Sequence, residues 1–268
     1  MSLAIAKSPL QIEPIGAAVV LTLDHPQSRN ALSDEMLEAL LAALDQAAGD
    51  KSVKAIVIGA NGPAFSAGHD LKQLTSHRGD PDCGRAYFTT VMTRCAELMQ
   101  AIVRSPKPVI AAVEGIATAA GCQLVATCDL AVAGENAKFA TPGVNIGLFC
   151  STPMVALTRN VSRKRAMEML LLGEMLDARA AAGYGLVNRV VPAGMARSEA
   201  LAIAEAIASK SGVTVAIGKQ AFYAQIEQPL ADAYSFAADV MVQNMLARDA
   251  EEGIDAFIEK RPARWDKS

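Results

Sequence analysis

Short apolar runs rich in β-branched residues alternate with helical patterns over the first two thirds of the chain. Three such runs, at 17–23, 53–58 and 109–113, have the length and composition of buried strands. Between them, apolar residues recur at helical spacing after Ser33, a suitable helix N-cap, and again over 85–104. Strands that alternate with helices predict parallel β/α units, and they restrict the chain to the α/β class.

The last third of the sequence is mostly helical. Helical spacing of apolar residues occurs at 162–172, 178–182, 197–210, 230–246 and 251–260. The stretch 230–246 carries an apolar stripe that includes Phe236, Val240 and Met241. A lone subunit would leave much of that stripe in water, so we expect other copies of the chain to cover it.

Composition argues against several classes of function. The 268 residues are enough for a sizeable core. A net charge of −3 and an isoelectric point of 5.7 give no basic field, so neither a nucleic acid nor a membrane is expected as a partner. The five cysteines match no disulfide or metal-ligand spacing, which predicts reduced thiols and no metal site. With no visible signal peptide or membrane span, these features predict a cytoplasmic location.

Two segments of small residues are candidates for chemistry. They are 66–70 (Ser-Ala-Gly-His-Asp) and 119–121 (Ala-Ala-Gly), the second at the expected start of a helix. Each can present a backbone N–H group, and a helix N-terminus adds its positive dipole end. Two such groups aimed at one carbonyl oxygen stabilise the negative charge that builds there when a thioester reacts through an enolate-like state. Each segment alone would be an ordinary tight turn, but together they form a candidate oxyanion site.

The second segment belongs to a longer pattern between Pro106 and Cys150. It begins Pro-Lys-Pro-Val-Ile-Ala-Ala-Val-Glu-Gly, continues through Gly-Cys-Gln-Leu and ends Thr-Pro-Gly-Val-Asn-Ile-Gly-Leu-Phe-Cys. This pattern resembles the enoyl-CoA hydratase/isomerase (crotonase) superfamily. The resemblance implies an α/β crotonase (ClpP/crotonase-like) fold. In that fold a spiral of ββα units over 1–195 holds the active site, and C-terminal helices over 196–268 build a homotrimer or hexamer.

The resemblance also assigns roles at the thioester. The oxyanion-hole N–H groups would come from the main chains of His69 and Ala120. In a typical hydratase two glutamates flank the acyl-CoA, and the matching positions here hold Gln123 and Gly143. Gln123 can hold a water but cannot take its proton, and Gly143 has no side chain. The pattern resembles one subgroup of the superfamily that shares the absent acids, so we expect hydration to be slow or altered.

A binding site for coenzyme A follows from the same resemblance, with the coenzyme as part of the substrate and no separate cofactor. Arg29 would face the phosphates, and Phe257 and Lys260 would reach the coenzyme A of a neighbouring subunit. The residues expected at the thioester or coenzyme A are Ser28, Arg29, Ala31, Ser66, Ala67, Gly68, Asp70, Leu71, Gly121, Phe257 and Lys260.

Two questions stay open from the sequence. The side chain of His69 could act as a base beside the thioester carbonyl, or only its backbone could matter. Glu114 remains another candidate acid–base, and Cys150 is expected only to line the pocket. The chain is either a lyase or isomerase of the enoyl-CoA hydratase type that acts on fatty acyl-CoA thioesters, or a non-catalytic acyl-CoA-binding protein. RNA binding, as in a basic branch of the superfamily, is disfavoured by the isoelectric point of 5.7.

Overall fold

The computed structural model describes residues 8–265. The strands within this part of the chain are β1 (Leu10–Ile15), β2 (Ala18–Leu23), β3 (Ala55–Ala60), β4 (Ala64–Ser66), β5 (Val109–Val113), β6 (Ile116–Thr118), β7 (Leu130–Gly134), β8 (Lys138–Ala140), β9 (Leu176–Asp177) and β10 (Arg189–Val191). The α-helices are α1 (Asp34–Gly49), α2 (Leu71–Ser76), α3 (Arg85–Arg104), α4 (Ala120–Thr127), α5 (Ser151–Asn160), α6 (Arg163–Leu172), α7 (Ala178–Tyr184), α8 (Ala196–Ala208), α9 (Gly212–Gln225), α10 (Leu230–Met245) and α11 (Arg248–Ile258).

The strands form two sheets that share the same turns of the chain. The six-stranded sheet has the order β1-β2-β3-β5-β7-β10, and the four-stranded sheet has the order β4-β6-β8-β9. Pairing is parallel except between β1 and β2 and between β8 and β9. Each successive pair, β3 with β4, β5 with β6 and β7 with β8, contributes one strand to each sheet before a helix follows. This is the spiral of ββα units that the family resemblance implies.

Two apolar layers hold the spiral together. The larger core lies between the sheets and helices α1, α3 and α4, with fully buried Phe65 and Phe139 among its largest side chains. On the other face of the six-stranded sheet, Ala196, Ala200 and Ala204 of α8 pack against the strands. Their spacing places all three on one side of the helix, and their small size lets the helix lie close to the sheet. The first helix of the C-terminal segment is therefore a layer of the core.

Sequence periodicity predicts most elements well. The helix over 85–104 and the strand over 109–113 have those bounds in the structure. The segment 66–70, expected as a tight turn, joins the last residue of β4 to the N-cap of α2. The pattern does not reveal β1, because it is an exposed edge strand, or α9, because that helix buries no residue fully and so shows no apolar stripe.

A buried ion pair fastens α9 to the core. The Lys219 ammonium donates to a carboxylate oxygen of Asp129 at 2.7 Å and to the carbonyls of Ile102 and Lys107 at 2.8 and 3.0 Å. The Tyr223 hydroxyl donates to the other oxygen of Asp129 at 2.9 Å. Burial lowers the pKa of Lys219, and the carboxylate of Asp129 opposes that shift. The ammonium, the carboxylate and the hydroxyl of this cluster thus each have a hydrogen-bond partner. Partners of this kind reduce the free-energy cost of burying charged groups.

The C-terminal helices keep a large apolar surface in solvent. Phe236 and Val240, expected on an outer stripe, are half-buried within the chain, whereas Met241 is exposed. The exposed apolar side chains of α10 and α11 include Leu230, Tyr234, Met241, Val242, Met245, Leu246, Phe257 and Ile258. No single described helix is long and apolar enough to cross a membrane. The helices α8 and α9 satisfy that test only together, with a bend of 108° between them.

Candidate functional site

The loop after β2 is tied directly to the segment after β4. The amide of Ala67 donates to the carbonyl of Arg29 at 3.0 Å, and the amide of Leu32 donates to the carbonyl of Gly68 at 2.8 Å. The fully buried amide of Asn30 braces the loop by donating to the carbonyls of the Asn61–Ala64 turn. The residues expected around coenzyme A in these two segments therefore lie side by side in the fold.

The segment after β4 also abuts the start of α4. A Cβ atom on Gly68, whose φ is +91°, would lie 2.9 Å from the Cβ of Ala119 and 3.1 Å from the amide nitrogen of Ala120. A Cβ atom on Gly121 would lie 2.2 Å from the carbonyl oxygen of Ser66. Both positions require glycine, because any side chain would push the two backbones apart. The two segments that the sequence pairs are thus in contact.

The amides of His69 and Ala120 are both unpaired at this junction. Ala120 is the first residue of α4, so its N–H has no acceptor within the helix. Neither amide donates a hydrogen bond to a residue in the range 8–265. The positive end of the helix dipole adds to the field at Ala120. Such a pair of donors can polarise a carbonyl oxygen placed between them.

Ala119, at the N-cap of α4, has φ +50° and ψ −121°. A residue with a Cβ rarely adopts such a conformation, and holding it there costs about 1–3 kcal/mol. Ala120 itself is not among the described residues with positive φ, so an alanine fits there. The backbone strain of this turn is therefore at Ala119, the residue directly before the unpaired amide of Ala120.

Gln123 lies one turn into α4 and faces a cavity. Its side chain is only 5% exposed, and its Oε1 atom has no hydrogen-bond partner among the described residues. The cavity has a volume of about 480 Å³ and is bounded by α3, α4, α5 and α9. Its mostly apolar walls include Met99, Val103, Ala126, Val155, Ala156, Phe222 and Ile226, with Arg159 and Glu227 paired at 2.9 Å at their exposed side. A polar group thus lies in the wall of the cavity, three residues along α4 from Ala120, which does not itself line the cavity.

Gly143 sits in a closed turn. The amide of Leu148 donates to the carbonyl of Gly143 at 2.9 Å, which folds the chain back over this residue. A Cβ atom on Gly143 would lie 2.6 Å from the Leu148 carbonyl oxygen and 2.9 Å from the sulfur of Cys150. This backbone conformation therefore excludes a glutamate at position 143, because other atoms already fill the space for any side chain there.

The two ring nitrogens of His69 are buried and have no well-aligned hydrogen-bond partner among residues 8–265. Burial lowers the pKa of His69, while the backbone of Leu32 and the carboxylate of Asp34 oppose the shift only in part. The ring is therefore neutral at neutral pH, and one of its nitrogens carries a free lone pair.

The other candidate groups have structural partners. Asp70 caps α2 by accepting from the amides of Lys72 and Gln73. Glu114 accepts from the amides of Gly194 and Ala196 at 2.9 and 2.6 Å, which occupies both of its oxygens at the start of α8. Burial raises the pKa of the Cys150 thiol, so it is a weak nucleophile.

The residues expected to reach a neighbouring subunit lie apart from this cluster. Phe257 is 85% exposed on α11, a helix that packs against α9 and α10. Lys260 is exposed as well, and its ammonium forms no ion pair with residues 8–265. Arg29 is also exposed, in a left-handed conformation with φ +54°. Both cations are therefore free to meet an anionic ligand.

The model of the family described as enoyl-CoA hydratase/isomerase matches residues 15–268. The chain belongs to the enoyl-CoA hydratase/isomerase family. Solved structures agree: an enoyl-CoA hydratase of Mycobacterium smegmatis superposes with a TM-score of 0.91 at 50% identity, covering 97% of this chain and 99% of that one.

The subgroup that the sequence resembles within this family is also confirmed, and it is the enoyl-CoA hydratase domain-containing protein 3 group. The member from Rattus norvegicus is 50% identical over 245 residues, which cover 91% of this chain and 80% of that protein. The human structure superposes with a TM-score of 0.91 at 46% identity, covering 96% of this chain and all of that one.

The prediction of a cytoplasmic location is contradicted by these comparisons. The enoyl-CoA hydratase domain-containing protein 3 relatives from Rattus norvegicus, Mus musculus, Homo sapiens, Xenopus laevis and Danio rerio are all named as mitochondrial. Reduced thiols show only that disulfides are not needed, and more than one compartment satisfies that condition. Composition therefore could not identify the compartment.

Sequence reasoning missed a polar cluster beside His69. The carboxylate of Asp34 accepts from the Tyr87 hydroxyl at 2.9 Å and faces a guanidinium nitrogen of Arg94 at 3.6 Å. The backbone amide of Asp34 donates to the Gln73 side chain at 3.1 Å. These residues come from α1, α2 and α3, and only the tertiary fold brings them together.

Proposed function

We propose that the chain binds fatty acyl-CoA thioesters and stabilises the enolate-like form of the thioester carbonyl. The observation that carries this proposal is the pair of unpaired amides, His69 and Ala120, at the junction of two backbones that glycines hold in contact. A thioester oxygen between them would receive two hydrogen bonds and the field of α4, and removing one donor of such a pair typically costs about 10²–10³ in rate.

The same proposal places the two ends of the ligand. The acyl chain lies in the cavity of about 480 Å³ that begins beside Gln123, because its walls are mostly apolar. Coenzyme A lies along Ser28, Arg29 and Ala31 and the segment Ser66–Leu71, with Phe257 and Lys260 supplied by another copy of the chain.

The proposed activity is of the lyase or isomerase type, with slow hydration. Gln123 cannot exchange a proton, and Gly143 has no room for a side chain. A non-catalytic acyl-CoA-binding protein is the second candidate. The closed turn at Gly143 favours it, because binding alone needs no acid there.

The experiment is a calorimetric titration with butyryl-CoA and dodecanoyl-CoA. Ala156→Phe fills the cavity and should weaken the long-chain ligand by about tenfold or more, since about 0.8 kcal/mol is lost for each methylene that stays in water. The affinity for butyryl-CoA should stay nearly unchanged. Arg29→Glu should weaken both ligands, because it replaces a phosphate partner by a repelling charge. Ala42→Phe, at an exposed position of α1, is the matched control.

Each outcome decides one part of the proposal. No binding of either thioester to the wild-type chain would reject acyl-CoA as the ligand. Equal losses for both chain lengths in Ala156→Phe would remove the acyl chain from the cavity. Unchanged affinity in Arg29→Glu would remove Arg29 from the coenzyme A site. Hydration of crotonyl-CoA, followed by the loss of conjugated thioester absorbance, then separates the enzyme from the simple binder.

A further inference from the structure

The buried ring nitrogens of His69 lower the stability of the fold. Both nitrogens of its imidazole are buried, and neither forms a well-aligned hydrogen bond with residues 8–265, although the Leu32 carbonyl lies close enough to favour the protonated ring. Buried polar groups in folded proteins are almost always paired, so an unpaired ring calls for a reason. The backbone role expected for this position needs no imidazole, because any residue provides the same N–H group.

The surroundings of His69 add a second unpaired atom. The Oδ1 atom of Asp34 is also buried without a hydrogen bond to a described residue, although a guanidinium nitrogen of Arg94 lies 3.6 Å away. The other oxygen is fixed by the Tyr87 hydroxyl at 2.9 Å. The carboxylate of Asp34 is close enough to His69 to favour its protonated form. It would therefore stabilise an imidazolium that forms during a reaction.

We infer that His69 is a catalytic residue whose imidazole takes and returns the α-proton of the bound acyl-CoA, with Asp34 as its positioning residue. This inference rests on the proposed function. The Cα–H bond breaks, its proton goes to a free ring nitrogen, and its electron pair moves through Cα to the thioester oxygen. That oxygen is held by the amides of His69 and Ala120. Return of the proton to the α-carbon restores the acyl-CoA, and delivery to the γ-carbon of an α,β-dienolate shifts a double bond.

One base is enough for this chemistry and not enough for hydration. Hydration needs a group that deprotonates water as well as a group that protonates the α-carbon. Positions 123 and 143 supply neither, since one holds an amide and the other has no side chain. A proton shift within the acyl group needs a single acceptor beside an oxyanion site. His69 and the two amides provide that set, which makes isomerisation the reaction class of this site.

The test follows deuterium in a β,γ-unsaturated hexenoyl-CoA incubated with the protein in heavy water. Mass spectrometry of the recovered thioester measures deuterium at the α-carbon, and absorbance measures conversion to the conjugated isomer. Wild-type protein should catalyse both. His69→Ala should slow both by about 10²–10⁴ without changing the dissociation constant of the thioester, because the main-chain N–H remains. Gln46→Ala, which removes an exposed polar side chain near the C-terminal end of α1, should retain wild-type rates.

His69→Gln keeps the test valid if the alanine variant does not fold. Glutamine is polar and of similar size but cannot accept a proton, so it should lose exchange as fully as alanine. Rates within twofold of wild type in either folded variant would overturn the inference. Wild-type protein that binds the thioester but neither exchanges the α-proton nor forms the conjugated isomer would overturn it as well, while acyl-CoA binding would stand. Failure of the wild type to bind the thioester at all would reject the proposed function.

Asp34→Asn tests the positioning role. The substitution keeps the shape of the side chain and removes the charge that stabilises an imidazolium. We expect a lower rate of exchange, with a smaller loss than in His69→Ala and an unchanged dissociation constant. A variant that instead binds more weakly at an unchanged rate would assign Asp34 to the architecture of α1 alone.

Discussion

The family resemblance places Gln123 and Gly143 where a typical hydratase has its two glutamates, and the two positions differ in the space that they offer a side chain. Glutamate could take the place of Gln123 with almost no change of shape, since that side chain already faces a cavity. Gly143 offers no such space, because a Cβ atom there would lie 2.6 Å from the Leu148 carbonyl oxygen. Restoring the first acid is therefore a change of one atom, whereas restoring the second requires a new backbone.

Gln123→Glu should raise the hydration of crotonyl-CoA above the wild-type rate, which we expect to lie far below about 10 per second. The gain is bounded by about 10²–10⁴ for one acid–base group. Gln123→Met, equal in size and unable to exchange protons, is the control and should give no gain. Adding Gly143→Glu should bring no further rate and should cost about 1–3 kcal/mol of unfolding free energy through overpacking. A wild-type turnover of about 10 per second would contradict the argument.

His69 should make folding stability depend on pH. Its pKa in the folded state lies below the ordinary value of 6.5. As the pH falls below about 6.5, the unfolded chain therefore binds a proton that the folded chain resists, and stability is lost toward the lowered pKa. Above that range the contribution is fully present. Urea unfolding of wild type and His69→Gln at about pH 7.5 and 5.5 should show a smaller loss in the variant. An equal loss would mean that the folded ring accepts a proton freely.

The sequence predicts the residues of the site better than their surroundings. The meeting of the two segments was predictable because their small residues mark tight turns and match the family's pattern, and the roles of His69 and Ala120 within them stay predictions. The cluster of Asp34, Tyr87 and Arg94 was not, because its members are distant in sequence and share no motif. The closure over Gly143 also depends on where Leu148 packs, which no local pattern encodes.

Helix α9 shows how an element can be held without a conventional apolar stripe. It buries no residue fully, yet Lys219 and Tyr223 anchor it to Asp129 near the start of β5. Because α9 also forms one wall of the cavity, this anchor sets the width of the proposed acyl site. Periodicity predicted three central strands and most of the long helices. It failed at the short strands of the second sheet, at α5 and at α9, where polar contacts replace hydrophobic burial.

Lys219→Met should lower the unfolding free energy by about 3–5 kcal/mol, because it leaves the Asp129 carboxylate buried without its cation. The matched control is Arg165→Met, which removes one partner of the exposed pair with Glu168 and should cost about 0–1 kcal/mol. Urea unfolding measures both. Equal small losses in the two variants would show that water reaches Asp129 and that the anchor is weak.

At the scale of the whole molecule, the exposed apolar side chains of α10 and α11 favour assembly. Leu246, which directly follows α10, and Phe257 of α11 are 82% and 85% exposed, and other large apolar side chains of both helices are exposed as well. We expect the trimer or hexamer that the sequence suggests, with the area between copies covering this surface. The assembly would also bring Lys260 of one copy to the coenzyme A of another.

Sedimentation velocity at micromolar concentration should show a species of three or six chains. Leu246→Asp should shift it toward the monomer, because it places a charge in the covered surface. Ala42→Asp, on the exposed face of α1, is the control. A wild-type monomer at that concentration would contradict the prediction and would remove Phe257 and Lys260 as ligands from a partner.

The packed turn over Gly143 has a consequence for descent. Any codon change that adds a side chain at position 143 destabilises this turn. Such a variant would be selected against for its lower stability, whatever chemistry the new side chain could perform. The turn from 142 to 150 would have to change its backbone first, and those intermediate changes would bring no gain in activity. An acid at position 143 is therefore much less accessible to descendants of this chain than an acid at position 123, where Gln123→Glu keeps the shape of the side chain.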